Sequence, residues 1–504
     1  MSTQEEWSQN TNTQKNGNRK NNTDTSSSFM TDSIRTDERK LFKVISAYDS
    51  PQLWYDPKNG AFSYPDSIPK SMDYSAPLGV QDSSEKPQKD VLETKNLGLV
   101  ASPQTKIELF RQRYDVIRQR IQRNDAHLRE TPMGNTWNGK ILIDSVSSLK
   151  GREGQEFAIF GMISQLEEGV YYVEDKDGSI KLNFSNTNLE NEEDIGIITE
   201  NSFVIVEGIL NDDTFIVQSL MQPPPETQAK SKYAFQGIDF FGGPKLPYDQ
   251  ATLKAIEGLD DNGAIVFLSD IWLDRQQVLD SLKKLFSGFS SSRLPLAFVL
   301  MGDFSSIPYL PGSNSISKYQ ENMSKLVSII TEFPDITKQC HFVIVPGPND
   351  PWGMGALPYP PLPKFLTDRF KSRIPRSNFT TNPCRIRFCT QEIVVFRDDL
   401  IKKMRRNSVL WPKGVDNLFE TKVVKTLINQ SHLSPLPIRV RPVFWGYDHA
   451  LRIYPSPDLI VLADKFESYN VFYNETLAIN PGSFSTNGFK FHVYLPATKT
   501  FQIR

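Results

Sequence analysis

Residues 263–274 read Gly-Ala-Ile-Val-Phe-Leu-Ser-Asp-Ile-Trp-Leu-Asp, an apolar run that stops at Asp270. Three later runs stop in the same way: 296–301 before Asp303, 342–345 before Asp350, and 459–462 before Asp464. Short apolar runs bounded by polar turns are typical of strands that are buried on both faces of a sheet. The four runs therefore predict strands that end in acidic side chains, and these side chains can gather at one rim of the fold.

The segments between and after these runs predict a layered α/β domain. Residues 271–286 and 316–333 have helical character, and the order strand, helix, strand favours a sheet covered by helices. Further strands are predicted at residues 392–396, 438–443, 491–495 and 501–503. They suggest a second sheet stacked on the first. The expected fold class is α/β, or α+β for the whole chain.

The middle of the chain alternates short β-rich runs with turns. Five strands are predicted, at residues 157–163, 170–174, 179–184, 203–210 and 214–220, with a tight hairpin at 175–178. This pattern fits a small barrel of the OB type, a class that often binds single-stranded nucleic acid. The predicted loops of this barrel are acidic, which favours docking to protein at least as much as binding to nucleic acid. The acidic residues are Glu167, Glu168, Glu192, Glu193 and Asp194. Both interpretations stay open.

The composition is that of a globular chain without a strong overall charge. Its 504 residues include 57 Lys plus Arg and 59 Asp plus Glu, so the net charge gives no general attraction for DNA. The three cysteines, Cys340, Cys384 and Cys389, form no C-x-x-C pair, which argues against a zinc ribbon and a disulfide framework. No apolar run approaches the roughly 18 residues that span a bilayer, so we expect no membrane contact.

The first part of the chain predicts a polar tail and one amphipathic helix. Residues 2–36 have almost no apolar side chains and are expected to be disordered, and 71–95 is a predicted linker. An amphipathic helix is predicted to follow this linker. Its start is predicted at Ser102, because Ser caps free amide groups and the following Pro103 is tolerated in the first turn. The helix has an apolar stripe of Ile107, Phe110, Tyr114, Ile117 and Ile121. Its other faces carry Arg111, Arg113, Arg118, Arg120 and Arg123, which predict either a phosphate contact or a solvated or acidic-partner-facing surface.

Acidic strand ends in this architecture suggest comparison with a dinuclear phosphoesterase. Two metals need a bridging carboxylate with hard oxygen and imidazole ligands, and room for an activated water. Such a site takes His two positions after the first Asp, a second acid after Gly-Asp, a Gly-Asn-His set after the third strand, and later histidines. This chain has other residues there: Trp272 for His, Ser306 for the second acid, Pro348 for the amide ligand, Asn349 for the proton-donating His, and Asp464 with Phe466 for two later imidazoles.

Few ligands therefore remain for a metal. Of the 5 histidines, only His432 lies where a ligand is wanted. Asp270 and Asp303 are the other plausible ligands that remain. Indole nitrogen is only a donor, and the bulk of Trp272 would occupy the metal's space. We expect no catalytic residue, no metal and no cofactor. Repulsion among the acids would be relieved by a cation, by Lys465 or by a proton, unless each Asp simply caps a helix or a loop.

Several long strings carry a family resemblance: F-L-S-D-I-W-L-D at 267–274, V-P-G-P-N-D-P at 345–351, the stretch 380–393, H-L-S-P-L-P at 432–437 and I-N-P-G-S-F at 479–484. At these positions the chain resembles the calcineurin-like phosphoesterase superfamily and, more narrowly, the B-subunits of replicative DNA polymerases, in their epsilon branch. The resemblance extends from about residue 38 to the C-terminus. It departs at the start, where the family usually carries a small helical domain.

The resemblance implies a non-catalytic accessory subunit in the nucleus. Its implied partner is the zinc-bearing C-terminal region of the polymerase's catalytic subunit, contacted across the OB barrel and the adjoining phosphoesterase face. Replicative helicase components, which the family contacts through its helical domain, and DNA reached through the complex are the other implied partners. Two alternatives stay open: a metal-dependent phosphoesterase or 3′ nuclease, and a single-stranded DNA-binding OB module.

The predicted elements divide the chain into four parts. We expect a disordered tail at residues 1–37 and an N-terminal segment with the linker and the helix at 38–134. An OB-fold domain is expected at 135–225. An inactive phosphoesterase-like domain is expected at 226–504, with the OB domain inserted against it.

Overall fold

The computed structural model of the chain describes residues 39–64, 101–132, 134–187, 196–259, 263–311, 315–353, 355–410 and 419–504. The tail expected at 1–37 and the linker expected at 71–95 lie outside these residues. Among the helices of the described ranges, none is both long and apolar enough to cross a bilayer.

The strands, in chain order, are β1 (Phe42–Ser46), β2 (Trp54–Asp56), β3 (Ala61–Ser63), β4 (Leu128–Thr131), β5 (Gly134–Trp137), β6 (Lys140–Ile143), β7 (Glu156–Glu167), β8 (Val170–Glu174), β9 (Ser179–Asn183), β10 (Phe203–Asn211), β11 (Thr214–Met221), β12 (Ile265–Ser269), β13 (Ala297–Met301), β14 (His341–Val345), β15 (Ser377–Phe379), β16 (Cys384–Phe388), β17 (Gln391–Arg397), β18 (Leu459–Ala463), β19 (Tyr469–Tyr473), β20 (Thr476–Asn480), β21 (His492–Leu495) and β22 (Thr500–Ile503). The helices are α1 (Pro103–Gln122), α2 (Gln228–Ala234), α3 (Gln250–Leu259), α4 (Gln276–Ser291), α5 (Ser315–Thr331), α6 (Pro334–Gln339), α7 (Lys364–Arg373), α8 (Leu400–Arg406) and α9 (Phe419–Asn429). Short 3-10 helices are formed by Arg39–Leu41, Ala47–Asp49, Val146–Leu149 and Trp445–Leu451.

Strands β4 to β11 form the barrel. Their order is β10-β11-β9-β8-β7-β6-β5-β4, and β10 also pairs with β7, which closes the sheet on itself. The five predicted strands correspond to β7 to β11, so the OB-type prediction is confirmed. The turn between β8 and β9 is tight because Asp175 Oδ1 accepts hydrogen bonds from the amides of Asp177 and Gly178, at 2.8 and 2.9 Å.

Strands β4 to β6 are not among the predicted strands. They are short and mostly exposed or half-buried, so they lack the regular apolar alternation that identifies a strand. Strand β4 precedes residue 135 and pairs with β5, so this sheet begins earlier than the barrel domain expected at 135–225. The division of the chain into domains stays a prediction.

The second half of the chain contains two stacked six-stranded sheets. The first has the order β15-β14-β13-β12-β21-β22 and the second β1-β16-β17-β18-β20-β19. Strands β12 to β15 are parallel, which explains their continuous apolar runs. The facing sides of the two sheets share one core, which includes Ile265, Phe267 and Val299 from the first sheet and Ile393, Val395 and Val461 from the second. The predicted two-sheet α/β class is confirmed.

Helices cover the outer faces of both sheets. Phe286 of α4, Leu326 of α5 and Phe370 of α7 pack in the core of the first sheet. Met404 of α8 and Leu427 of α9 pack in that of the second. Burying such a side chain contributes about 1.5–3 kcal/mol. The cores thus fix where the strand ends meet.

One predicted strand is wrong, and one predicted helix begins later than expected. Residues 438–443 form a turn in which the amides of Val440 and Arg441 both donate to Pro437 O, at 2.8 and 2.9 Å. Pro437 and Pro442 lack the N–H that a strand ladder needs. The helix predicted from residue 271 begins only at Gln276, because residues 270–275 form a loop after β12.

Helix α1 begins at Pro103 as predicted, although the Ser102 side chain makes no cap bond to a backbone amide. Its stripe packs on the outside of the barrel, where Tyr114, Ile117 and Ile121 form a cluster with side chains of β7 and β10 that is separate from the barrel interior. Of the five arginines on its other faces, Arg111 is exposed and two are half-buried, whereas Arg113 and Arg120 are buried inside the protein. Arg113 binds Asp448, and Arg120 donates to Ser431 Oγ at 2.7 Å. The helix therefore joins the barrel to the two-sheet domain.

Candidate functional site

The four acids after the apolar runs lie in one hydrogen-bonded set of loops, which we call the rim. Asp303 N donates to Asp270 Oδ1 at 3.2 Å. Phe304 N donates to Asp350 Oδ1 at 2.8 Å. Asp464, at the end of β18 in the other sheet, is followed by Lys465, whose Nζ lies 3.1 Å from Asp303 Oδ2. The rim thus spans the ends of both sheets.

Two glycines allow the rim loops to approach each other. A Cβ atom on Gly302 would lie 1.9 Å from Asp350 Oδ2, and one on Gly347 would lie 2.3 Å from Asp303 Oδ1. Both distances are far shorter than a van der Waals contact. The close approach lets the Gly347 amide donate to Asp350 Oδ2 at 2.8 Å.

Arg397, the last residue of β17, lies among the acids and is fully buried. Its guanidinium donates to Asp270 Oδ1 and to Asp399 Oδ1, both at 2.8 Å. It also donates to Gly302 O at 2.7 Å and to Ala463 O at 3.2 Å. Burial opposes its charge, but the nearby carboxylates hold the pKa of Arg397 well above its ordinary value. A permanent cation therefore occupies the centre of the rim.

Arg397 is not among the site residues predicted from the sequence. The signal was available, because the predicted strand at 392–396 stops at this residue just as the other runs stop at Asp. Metal ligands are carboxylates, amides and imidazoles, whereas a guanidinium has only donors, so a ligand pattern does not point to an arginine.

Lys465 lies against Asp303, while Asp350 and Asp464 accept hydrogen bonds from loop and helix-start amides, so both predicted alternatives have counterparts at the rim. Burial disfavours the charge of Lys465, but Asp303, Asp270 and Asp399 together raise the pKa of its ammonium group. Burial and then the charge of Asp303 raise the pKa of Asp350 to about 7. Burial raises the pKa of Asp464 to about 6.

The residues predicted to replace metal ligands make protein contacts of their own. Asn349 Nδ2 donates to Asp303 Oδ2 at 2.7 Å, and Ser306 N donates to Asp274 Oδ1 at 2.8 Å. Phe466 N donates to Asp464 Oδ1 at 3.1 Å. The side chains of Trp272, Pro348 and Phe466 are partly exposed at the rim loops.

His432, predicted as a site residue, lies beside Asp448 and not beside the four acids of the rim. Its Nε2 lies 3.3 Å from Asp448 Oδ1, and its Nδ1 accepts from Ser434 N at 3.0 Å. Asp448 also binds Arg113 of α1. His432 follows α9, which packs on the second sheet beside this contact. It therefore belongs to the α1 contact and makes no hydrogen bond with the four acids.

The rim does not fit the metal pair of a phosphoesterase. Within the described ranges, no group of three or more His, Cys, Asp or Glu side chains is arranged to hold a metal ion. The guanidinium of Arg397, the ammonium of Lys465 and the amide of Asn349 already bind oxygens of Asp270 and Asp303. A cation that bridged Asp270 and Asp303 would compete with these donors, which are attached to the chain.

Comparison with known proteins identifies the family. Residues 265–471 match the family of DNA polymerase alpha/epsilon B subunits, and residues 103–224 match the DNA polymerase epsilon subunit 2-like OB-fold domain. DNA polymerase epsilon subunit 2 of Homo sapiens is 38% identical, over 92% of this chain and 83% of its own length. The DNA polymerase epsilon B subunit of Arabidopsis thaliana is 36% identical, over 81% of this chain and 78% of its own. That of Schizosaccharomyces pombe is 30% identical, over 88% of this chain and 73% of its own. An OB barrel, a two-sheet domain and these matches together show that the chain belongs to the family of DNA polymerase epsilon second subunits, also called B subunits.

Proposed function

We propose that this chain is a non-catalytic accessory subunit that binds and stabilises the zinc-bearing C-terminal region of the polymerase's catalytic subunit, in nuclear DNA replication. The observation that carries the proposal is the occupation of the rim by Arg397. Family membership supports the polymerase role. Replicative helicase components, and DNA reached through the complex, are further partners under this proposal.

The chemistry of the rim argues against hydrolysis. Phosphoester hydrolysis by this fold needs a metal-activated water beside carboxylate ligands. Here Asp303 binds Asn349 and Lys465, and Asp270 binds Arg397. Arginine stays protonated in proteins, so it cannot serve as a general base or generate hydroxide. The rim residues are therefore proposed to have a structural role.

A cleft between the domains is the proposed docking place for the catalytic subunit. It has a volume of about 520 Å³ and lies between α1, the barrel and the 435–439 loop of the two-sheet domain. Its walls include six apolar side chains: Ile107, Phe110, Met162, Phe203, Pro437 and Ile438. Ile107 is 47% exposed, although it belongs to the apolar stripe of α1. Exposed apolar surface bounded by charges is typical of protein interfaces.

Two of the cationic side chains at the cleft are paired with acids of the chain. Arg439 forms an ion pair with Glu200, and Lys176 lies 2.5 Å from Asp115. A partner therefore meets apolar walls with a balanced charged border, as at most protein–protein contacts. A polyanion such as single-stranded DNA would find few free cations there, so the cleft favours protein over DNA.

The proposal is tested by co-expressing the full chain with the full catalytic subunit of its own organism. Ile107→Glu places a charge in the apolar wall and should weaken co-purification at least tenfold, a loss of about 1.4 kcal/mol. Ile503→Glu is the matched control, because Ile503 is also 47% exposed but lies on β22. Equal retention by both variants would contradict docking at the cleft. Failure of the unmodified chain to bind at all would contradict the accessory role.

The enzymatic alternative has its own test. Purified complex is incubated with Mn²⁺ and a phosphodiester substrate, and Asp303→Ala is compared with the unmodified chain. We expect only background hydrolysis from both. Activity that requires Mn²⁺ and disappears in Asp303→Ala would favour a phosphoesterase or nuclease instead.

A further inference from the structure

Arg397 connects the two sheets at the rim. It is the last residue of β17 in the second sheet, yet its guanidinium binds Asp270 just after β12 and Gly302 O just after β13, both in the first sheet. On its own sheet it binds Ala463 O at the end of β18 and Asp399 Oδ1 at the start of α8. One side chain thus ties together four strand ends.

The carboxylates around this guanidinium outnumber it. Asp270 and Asp399 accept hydrogen bonds from it, and Asp303 Oδ2 lies 3.8 Å from its NH2 group. Asp270 Oδ2 is buried and has no hydrogen-bond partner among the described residues. A fully buried carboxylate with one free oxygen needs a positive charge nearby, because an unpaired buried charge is strongly unfavourable.

We propose that Arg397 is a built-in replacement for the metal pair of the phosphoesterase fold, and that it positions the rim loops. A guanidinium has five N–H donors in a fixed plane, which suits several carboxylate and carbonyl oxygens at once. Lys465 adds a second, more exposed cation on Asp303. Because both charges are covalently attached, the rim keeps its arrangement whether or not divalent cations are present.

The first test compares the response of the full chain to cations. The melting temperature of the unmodified chain should be the same in EDTA and in Mn²⁺. Arg397→Ala should lower it by about 10 °C, because the buried acids lose their counter-charge. Millimolar guanidinium, far below denaturing levels, should restore part of this loss, whereas urea, a neutral molecule of the same shape, should not.

A double variant separates charge from packing. If Arg397 acts mainly as the counter-charge of Asp270, then Arg397→Ala with Asp270→Asn should melt higher than Arg397→Ala alone. If it only fills space, the two losses should add. Asp270→Asn combined with Arg441→Ala is the matched control, because Arg441 is also buried but binds Asp398. That pair should show additive losses.

Several results would overturn the proposal. These are a Mn²⁺-dependent rise in the melting temperature of the unmodified chain, equal effects of guanidinium and urea on Arg397→Ala, or additive losses in the Arg397–Asp270 pair. Should Arg397→Ala be insoluble, soluble yield is the readout. The yield must then recover in the double variant with Asp270→Asn, and continued insolubility there also contradicts the proposal.

Discussion

Two buried ion networks differ in the sign of the ion that their other members share. One is the rim, and the other is the contact of α1 with the two-sheet domain. At the rim one cation, Arg397, serves the carboxylates of Asp270 and Asp399. At the α1 contact one carboxylate, Asp448, serves Arg113 and lies beside His432. Burial raises the pKa of Asp448, but Arg113 and His432 outweigh it and hold that pKa far below its ordinary value. The comparison indicates that each network depends most on its shared ion.

The largest expected effect follows from removing a shared ion. Arg397→Met and Asp448→Asn should each reduce the free energy of unfolding by about 3–5 kcal/mol, because each leaves buried charges without a partner. Chemical denaturation of the purified chain measures both losses. A loss below about 1 kcal/mol in either variant would show that the corresponding network does not depend on its shared ion.

The close approach of the rim loops gives the next effect. Gly347→Ala should cost about 1–3 kcal/mol, because its Cβ would lie 2.7 Å from Gly302 C and 2.3 Å from Asp303 Oδ1. Gly288→Ala in α4 meets no atom within 4 Å and should stabilise the chain by about 0.5–1 kcal/mol. Opposite signs in thermal unfolding are expected. Similar small effects would show that the rim loops move apart easily.

Proton binding distinguishes the rim from the α1 contact. Asp350 has a pKa of about 7 in the fold, raised by burial and Asp303 from its ordinary 3.8. Between these values the folded state keeps a proton that the unfolded state releases, so stability falls as the pH rises from about 4 to 7. Asp350→Asn should remove about 1–3 kcal/mol of this dependence. An unchanged pH profile in that variant would contradict the assignment.

The smallest effect on the free energy of unfolding is expected at Lys465, the partly exposed cation of the rim. Lys465 is 39% exposed and Asp303 keeps its bonds to Asn349, so Lys465→Met should cost less than about 1 kcal/mol. Denaturant unfolding at low and at high salt measures the effect. A loss as large as that of Arg397→Met would mean that the two cations share the role equally.

Much of the architecture was readable from the sequence. The runs ending at Asp270, Asp303, Asp350 and Asp464 gave the buried strands and their acidic ends. Alternating runs gave five barrel strands, because a half-buried strand leaves a period of two. Strands β4 to β6 have no such pattern, whereas residues 438–443 resemble a strand although Pro437 precedes them and Pro442 lies among them.

The partners of charged side chains were not readable in the same way. The arginines of α1 could be seen as a surface stripe, yet Arg113 and Arg120 are buried against residues more than 300 positions away. His432 resembled a ligand by its place in the order of motifs, yet it lies beside Asp448. Sequence order does not reveal which distant side chain will meet a charge.

The sequence by itself determined the two-sheet and barrel classes, the acidic strand ends and the scarcity of metal ligands, because these follow from local periodicity and residue type. Only the tertiary structure decided that Arg397 pairs with Asp270 beside Asp303 and that His432 belongs to the α1 contact. The physical reason is that a buried charge is stabilised by neighbours within a few ångströms, and packing of the two sheets selects those neighbours.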